Sequence, residues 1–505
     1  MLQQVSDALK YHLDSLGYQT IFISLSDLLN NVEGWVPEPD PSEYTRIRHR
    51  QSWGYKLRKT TGAAGLARAA IVAIRRERFR ISGSHDTPAS GYAYILRQLK
   101  HPAEVVLLRE VYGTSFCLIG GHAPREIRVD HLTERMANRN DDSDHTKYKD
   151  KAEEIIRIDD KEEIASSESE DANLGQNTRD TYPLADFFVD LQSIDRAKAP
   201  IGRLADLLFG HPFHTPYPEE YAMYQASAAA LRSSDENRQV GAVIVKLTDK
   251  SGTVTNIDVV ASGMNEVPRR GGGFYWQDAS PDERDQAVKE REGIEPSDRI
   301  KTSALTELIE RMQKENLLRA EDTRPANQIA RSLLQILKGT QFMAIGEFSR
   351  PVHAEMAALI DAARRGVAVD RLSLYVTTFP CHNCAKHIIA SGIQRVVYLE
   401  PYPKSKAKLL YGNEIELEPR GPSYDDRVAF YPFSGVAPRI YRRLFNMSQR
   451  GGSKGVSLRL WNENKKSLVP IYSRNSAEAY IPAERRQLHH LPESMYSWDK
   501  RTVCP

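Results

Sequence analysis

The chain has 505 residues, which is too long for a single hydrophobic core, so two or more domains are expected. Hydrophobic residues make up 40% and charged residues 27% of the chain, and the net charge is +2; this balance excludes a nucleic-acid-binding field over the whole molecule. The four cysteines (Cys117, Cys381, Cys384 and Cys504) are too few for a disulfide framework and favour a reducing compartment.

The first residues, MLQQVSDALKYHLDSLGY, form an amphipathic pattern and lack the apolar core of a signal peptide. No uninterrupted apolar run approaches the roughly 18–20 residues of a membrane helix. These observations predict a cytoplasmic protein with no membrane contact.

Residues 1–200 alternate helical patterns with short apolar runs. A helix that ends at Gly17 is followed by a strand in QTIFISLSDLL, and a basic helical stretch begins at EYTRIRHRQ. Further on, AEVVLLREVYGTSFCLIGG contains a helical pattern and then an apolar run. This alternation predicts a parallel α/β domain.

Residues 139–179 differ in composition from their surroundings. The stretch is polar and acidic and offers little to bury, and the chain returns to apolar character only at YPLADFFVDL. We therefore predict a solvated excursion or a mobile lid.

Residues 201–505 read as a second α/β domain. A helix over YPEEYAMYQASAAALRSSD precedes two strands, in QVGAVIVKL and NIDVVASGMNEV. A charged helical insertion is predicted over residues 281–340, followed by a helix (354–365), a strand (372–377), a helix (384–391) and a strand (395–399). The predicted order is β-β-α-β-α-β, interrupted by the insertion.

Two stretches of this second domain, RPVHAEMAALID and TTFPCHNCAKHIIASGI, carry metal-binding chemistry. His353, Cys381 and Cys384 supply three ligands for zinc, and three protein ligands leave the fourth position of a catalytic zinc to water. Pro380 is typical of a helix start, where both thiolates would be stabilised. Glu355, two residues after His353, would lie near that water and carry protons as the catalytic residue.

The combined pattern H-x-E…P-C-x-x-C is the signature of zinc nucleobase deaminases. His382 should point away from the metal, and His387 should face outward or pack, so no closing fourth ligand is evident. The sequence therefore favours a catalytic zinc over a purely structural one.

Residues 220–408 resemble the deoxycytidylate deaminase family of the cytidine deaminase-like superfamily, on the motifs SSDENRQVGAVIV, SGMNEVP, HAEMAAL, TTFPCHNCAKHIIASGI and RVVYLEPYPKS. The resemblance implies an α/β/α domain with a mixed sheet. It places the substrate at Asn265, Ala354, Tyr402 and Lys404, with further phosphate-binding candidates at Lys406, Arg269 and Arg270. Met264 and Glu266 depart from the family pattern, and an acidic Glu266 would oppose a phosphate unless it faces away.

The stretch NEVPRRGGGFYW and the upstream α/β domain are also similar to bacterial two-domain anti-phage deaminases. In that family a P-loop kinase-like domain precedes a deaminase that converts dCTP and dCMP to dUTP and dUMP. The resemblance implies antiviral defence, control by a regulatory nucleotide or RNA, and a homo-oligomer.

One requirement of a P-loop is missing from the sequence. No Gly-Lys pair occurs anywhere, although VSDALKYHLDSLGY resembles the helix that follows a P-loop. The corresponding strand and loop would lie upstream of Met1. As written, the first domain is expected to transfer no phosphoryl group and to serve regulation or assembly.

Two alternatives stay open at this level. A deaminase of tRNA or single-stranded DNA would need a basic groove and stacking aromatic side chains, for which Tyr275 and Trp276 are candidates. A zinc-stabilised nucleotide sensor would have the same ligands and no turnover.

Overall fold

The computed structural model describes residues 2–491 except 33, 39, 41, 162–173, 251–252, 278, 319–323, 338–339, 341–347, 402–404, 420–425, 448–457 and 472–476. The chain divides into two compact units, called unit 1 (residues 1–220 and 432–505) and unit 2 (residues 221–431). None of the helices within the described residues has the length and apolar character that a membrane span requires.

The first part of unit 1 alternates helices with short strands. Its elements are α1 (Leu2–Ser15), β1 (Gln19–Ser24), α2 (Leu25–Leu28), α3 (Glu43–Thr61), α4 (Gly65–Ser82), β2 (Tyr92–Arg97), α5 (Pro102–Tyr112), β3 (Ile119–His122), α6 (Arg125–Arg139), α7 (Lys149–Asp160), α8 (Thr178–Thr181), β4 (Phe187–Asp190), α9 (Ile194–Leu208) and α10 (Pro218–Ala230), the last of which continues into unit 2.

The strands β1 to β4 pair in the parallel direction, as the alternation of helices and strands predicts. β1 pairs with β2, and β3 pairs with β4. Among the described residues these pairs belong to two separate sheets rather than to one. The α/β class is therefore confirmed, while the P-loop kinase-like fold stays a prediction, because two short parallel pairs are common to many α/β folds.

The prediction of a solvated excursion over residues 139–179 is wrong for α7. Ala152, Ile155 and Ile156 on this helix are buried, and they form a small core with Val129 and Met136 of α6. The isoleucines lie on one helical face between charged residues, so the mean composition conceals an amphipathic helix. Residues 162–173 of the predicted excursion lie outside the described residues.

Unit 2 contains β5 (Gly241–Lys250), β6 (Thr253–Met264), α11 (Asp285–Glu292), α12 (Pro296–Lys314), α13 (Ala326–Ile336), α14 (Ala354–Arg365), β7 (Ser373–Thr378), α15 (His382–Ala390), β8 (Arg395–Glu400), α16 (Ala407–Leu410), β9 (Ile415–Leu417) and β10 (Val428–Pro432). Its strands form a sheet in the order β6-β5-β7-β8-β10-β9. β5 is antiparallel to both β6 and β7, whereas β7 is parallel to β8. The predicted mixed sheet, element order and helical insertion are confirmed.

The core of unit 2 lies between this sheet and the helices α14 and α15. Every residue of β7 is buried, as expected for a central strand of a sheet. Ala354 and Ala358 of α14 and Cys384 and Ile388 of α15 belong to the same buried cluster as the strand residues. The two helices that carry the predicted metal ligands therefore rest on one rigid layer.

Gly263 on β6 allows α14 to approach the sheet closely. A Cβ atom at this position would lie 2.3 Å from the backbone O of Ala354 and 2.3 Å from the backbone N of Ala358. We expect Gly263→Ala to displace α14 from the sheet. The free energy of unfolding should fall by about 1–3 kcal/mol, and the zinc content of the purified protein should fall as well. Thermal unfolding and metal analysis measure both effects.

Ser262→Ala is the matched control, because Ser262 is the exposed neighbour of Gly263 on the same strand. A Gly263→Ala protein with the unfolding midpoint and metal content of the Ser262→Ala protein would contradict the close-packing argument.

The chain then returns to unit 1 through β11 (Gly435–Val436), α17 (Pro438–Phe445), α18 (Leu458–Glu463) and α19 (Ala477–Leu488). β11 pairs antiparallel with β4, and Ile440 and Leu444 of α17 join the buried cluster of Phe187 and Val189. On α19, the buried Glu484 accepts hydrogen bonds from Arg78 at 2.7 and 2.8 Å.

This division differs from the predicted domains, 1–200 and 201–505. The boundary lies near residue 220, and residues 432–505 group with unit 1. The spacing of apolar residues in α17 predicts that one face of this helix is buried. The spacing does not show whether that face packs in the core of unit 1 or of unit 2.

Candidate active site

His353, Cys381 and Cys384 lie together in unit 2. The Nδ1 atom of His353 is 3.3 Å from the Sγ atom of Cys381 and 3.3 Å from that of Cys384. All three potential ligand atoms lie within 4.8 Å of one another. The structure thus brings together, from two separate segments, the three residues predicted to bind zinc.

The spacing of these atoms fits a single small cation. In a tetrahedral zinc site, a sulfur ligand and a nitrogen ligand are separated by about 3.6 Å, given metal–ligand distances of about 2.3 and 2.0–2.1 Å. The observed separations are 3.3 Å. Two thiols and an imidazole are also a donor set that zinc prefers.

Two helix starts create this arrangement. His353 is the N-cap residue of α14, and Cys381 is the N-cap residue of α15. β7 ends just before Cys381. Phe379, which follows β7, still donates a backbone hydrogen bond to Glu400 O of β8 at 2.8 Å, so the sheet fixes the position of the chain up to this point. The N–H groups and the positive dipole ends of both helices stabilise thiolates at this point.

The electrostatics of the cluster favour one thiolate in the protein alone. A hydrogen bond from Cys384, and then the hydrogen bond and charge of His353, outweigh burial and lower the pKa of Cys381 to about 4. The pKa of Cys384 is raised well above its ordinary value, first because it donates to Cys381 and then because it is buried. The hydrogen bond with Cys381 raises the pKa of His353 to about 8 despite burial.

Glu355 lies in the first turn of α14 and is only 4% exposed. Burial, followed by the negative charge of Cys381, raises its pKa to about 7. Its carboxylate also interacts with the Cys384 thiol, which opposes the effect of burial on the pKa of Glu355, so Glu355 lies beside the cluster. A buried carboxyl group in contact with the ligand set, and not itself part of it, is suited to proton transfer.

No fourth protein ligand joins the cluster within the described part of the chain. His387 is exposed, and its Nδ1 lies 2.9 Å from the backbone O of Asn383. His382 follows Cys381 on α15 and lies outside the group of ligand atoms. A cation held here would keep a coordination position for water or substrate, as an open site requires.

Asn265, predicted to contact the substrate, has its side chain engaged within the protein. Its Nδ2 donates to Asp235 Oδ2 at 3.0 Å and to Arg238 O at 2.8 Å, and its Oδ1 accepts from Val240 N at 2.8 Å. Both donor hydrogens are therefore used, and one lone pair of Oδ1 remains for a ligand. The Asn265 side chain holds together the loop before β5.

Glu266 faces into the protein and not toward a phosphate. It is 3% exposed, and its carboxylate accepts hydrogen bonds from Ser234 N, Ser234 Oγ and Val267 N at 2.8–3.0 Å. Its backbone forms an antiparallel bridge with Val352, the residue before His353. Glu266 therefore anchors its loop beside His353, the predicted metal ligand.

Two positioning residues, Asp235 and Arg350, were missed in the sequence analysis. Asp235 accepts hydrogen bonds from Asn237 N at 2.8 Å and from Asn265 Nδ2 at 3.0 Å. Arg350 donates to Asp285 Oδ1 and to Glu283 O, both at 2.9 Å, which links the insertion to the segment before His353. Of these residues, only Asp235 could have been recognised from the local sequence, because Asp-x-Asn is typical of a turn.

The other predicted contacts have different outcomes. The Ala354 side chain is fully buried in the core, so this residue can meet a substrate only through its backbone. Arg269, Arg270 and Lys406 are exposed. Tyr402 and Lys404 lie outside the described residues.

Trp276, a candidate for stacking on a nucleic-acid base, is 59% exposed. The centre of its ring lies 3.6 Å from Cζ of Arg232, so it stacks on a side chain of the protein itself.

Part of the chain that contains this cluster matches a known protein family. Residues 216–400 match the cytidine and deoxycytidylate deaminase zinc-binding region. This match supports the deaminase resemblance of the second domain and implies zinc as its metal. The kinase-like first domain and the anti-phage context stay predictions.

Curated relatives match over a short stretch. Deoxycytidylate deaminase from Enterobacteria phage T2 is 47% identical over 55 residues, which are 11% of this chain and 29% of that protein. ComE operon protein 2 from Bacillus subtilis is 44% identical over 54 residues, again 11% of this chain and 29% of that protein. The chain therefore spans less than a third of the length of these relatives.

Among solved structures, the dCMP deaminase from the cyanophage S-TIM5 in apo form shares 15% sequence identity over 44% of this chain and 100% of that chain. Its TM-score is 0.22, and a likeness at that level supports no conclusion.

Proposed function

We propose that unit 2 is a zinc-dependent hydrolase that deaminates deoxycytidine nucleotides, converting dCMP, dCTP or both, with water, to the uracil nucleotide and ammonia. The observation that carries this proposal is the cluster of His353, Cys381 and Cys384 with the buried Glu355 beside it. The match to a deaminase family model and the relatives named deoxycytidylate deaminase support the substrate class.

The three ligands and Glu355 would have separate roles in this reaction. His353, Cys381 and Cys384 hold the zinc ion, which would supply Lewis-acid activation of the attacking water. Glu355 takes a proton from that water and passes it to N3 of cytosine while C4 is attacked. Glu355 then takes the remaining proton from the new hydroxyl group on C4 and delivers it to the amino group. The C4 carbonyl forms, the C4–N bond breaks and ammonia leaves, so the carboxylate ends the cycle in the state in which it began.

The wider role is also a proposal. Loss of dCTP and dCMP would limit viral DNA synthesis, which agrees with the resemblance to anti-phage deaminases. Such an activity must be held in check until infection, and a regulatory nucleotide or RNA acting through unit 1 would do this. A homo-oligomer is expected from the same resemblance.

Product analysis with the full chain tests the proposal. We expect zinc-loaded protein to release ammonia and the matching uracil nucleotide from dCMP or dCTP, and to leave single-stranded DNA and tRNA unchanged. Chromatography of each reaction, with an ammonia assay, gives both readouts. Deamination of polynucleotides alone would favour the polynucleotide deaminase, and zinc-loaded protein with no turnover on any of these substrates would favour the sensor.

A further inference from the structure

Unit 1 contains a second group of potential metal ligands. Apart from the cluster in unit 2, the described residues hold one further group of three, Asp206, His211 and His214, whose ligand atoms lie within 4.8 Å of one another. All three residues belong to unit 1, and each side chain is partly exposed, so an ion from solvent can reach it. None of them belongs to the site proposed for deamination.

A tight turn at the end of α9 brings His211 back to Asp206. Asp206 lies in the last turn of this helix, and Gly210 reverses the chain with a φ of +74°, a conformation that favours glycine. The backbone N of His211 then donates to the backbone O of Asp206 at 2.9 Å. The local fold therefore fixes the first histidine beside the carboxylate.

His214 completes the group from the other side of Pro212. Its Nε2 lies 3.2 Å from Oδ2 of Asp206, and its ring stacks on that of His211 with the centroids 3.9 Å apart. Nitrogen and oxygen ligands of one tetrahedral zinc ion lie about 3.3–3.5 Å apart. The His214–Asp206 pair is close to this separation, and an ion pair between these two residues alone does not account for the position of His211.

Buried neighbours hold the ring of His211. Its edge meets the ring of Trp461 on α18 at a centroid distance of 4.8 Å, and Trp461 is 3% exposed and donates from Nε1 to Phe209 O at 3.2 Å. Nδ1 of His211 accepts from Phe213 N at 3.2 Å, which is long for such a bond. A bound ion would replace this hydrogen bond, because a neutral imidazole has a single nitrogen lone pair to offer.

The charge around Asp206 favours a cation. Its ion-pair partner is His214, and no Lys or Arg of the described residues pairs with this carboxylate. The carbonyl end of α9 adds the negative end of a helix dipole at the same place. The side chains of Asp206 and His214 are 28% and 30% exposed, so the group is open to solvent on one side.

We propose that Asp206, His211 and His214 bind one divalent transition-metal ion of the Zn²⁺ class. Two imidazoles and one carboxylate suit such an ion, whereas Mg²⁺ and Ca²⁺ prefer oxygen ligands. The ion ties two residues beyond the end of α9 to one within it, so its role is to fix residues 209–217, the segment between α9 and α10. Because the group is partly exposed and contains no thiolate, it holds its ion less firmly than the cluster in unit 2.

Calorimetric titration of the untagged full chain with Zn²⁺ tests this inference. The protein is first dialysed against a chelator, which removes the weaker ion, and then freed of the chelator. We expect one further saturable equivalent of Zn²⁺, which an excess of Mg²⁺ or Ca²⁺ does not displace. Occupancy should also raise the midpoint of thermal unfolding, because the ion binds the folded state.

His211→Ala/His214→Ala should bind this equivalent at least about 100-fold more weakly. The reason is that loss of an outer-shell partner of a ligand already costs about 10–100-fold in metal affinity. The unfolding midpoint of this variant should then no longer rise with Zn²⁺. If the variant fails to fold, Asp206→Asn keeps the shape of the side chain and removes its charge, and it should still bind at least about tenfold more weakly.

His131→Ala/His145→Ala is the matched control. It removes two exposed imidazoles of unit 1 that do not belong to the group, and it should bind the further equivalent as the unaltered chain does.

Three results would overturn the inference. The first is no further equivalent of Zn²⁺ in the unaltered chain, and the second is an equal loss of affinity in the His211→Ala/His214→Ala variant and the control. The third is binding of Zn²⁺ without any rise in the unfolding midpoint, which contradicts the structural role. Zinc that remains after dialysis against the chelator, together with ammonia release, reports on unit 2, so a failure there is distinguished from a failure here.

Discussion

Replacing Glu355 by Ala is expected to lower the turnover number by about 10³-fold or more, near the upper end of the 10²–10⁴ range for proton-transfer groups. The reason is that Glu355 is proposed to move a proton at both the attack and the departure step. It lies beside the cluster and is not among its ligand atoms, so zinc content should not change. Ammonia release from dCMP and dCTP gives the rate, and metal analysis gives the zinc content.

Two further variants sharpen this test. Glu355→Gln retains the shape of the side chain and should be as inactive as Ala, because an amide does not accept the proton. Glu310→Ala removes an exposed carboxylate from α12 of the same unit and should leave turnover unchanged. Near-normal turnover by Glu355→Ala would refute the role assigned to Glu355, whatever the substrate proves to be.

Replacing Cys384 by Ser is expected to remove both zinc and activity. Cys384 is fully buried, and its thiol contributes one of three protein ligands. If zinc binding is worth about 10–16 kcal/mol, one of three ligands accounts for about 3–5 kcal/mol, which is about 10²–10⁴-fold in affinity. Zinc per protein after dialysis against a chelator measures the loss, and ammonia release measures its consequence.

Cys117→Ser is the matched control for this substitution. Cys117 is a cysteine of unit 1 that does not belong to the ligand cluster. It should retain zinc and activity, so that the effect of removing a thiol is separated from the effect of removing a ligand. A Cys384→Ser protein that holds zinc as firmly as the Cys117→Ser protein would show that the metal is bound elsewhere.

The structure confirms most of what the local pattern of unit 2 predicts. The predicted helix 354–365 is observed as α14 (Ala354–Arg365), and the predicted strand 395–399 as β8 (Arg395–Glu400). These predictions succeeded because buried strands and amphipathic helices leave strong periodic signals. The error at α7 arose because its charged residues dominate the composition, whereas only its isoleucine face determines packing.

The sequence by itself selected the three candidate zinc ligands and Glu355, because zinc chemistry requires particular side chains at particular spacing. The tertiary structure decided what surrounds them. It turned Glu266 inward onto Ser234, and it placed Gly263 under α14. It also grouped residues 432–505 with unit 1 and gathered Arg46, Arg135 and Arg139 around Glu43. These contacts join residues far apart in the chain, and the free energy of such contacts depends on packing that no local pattern encodes.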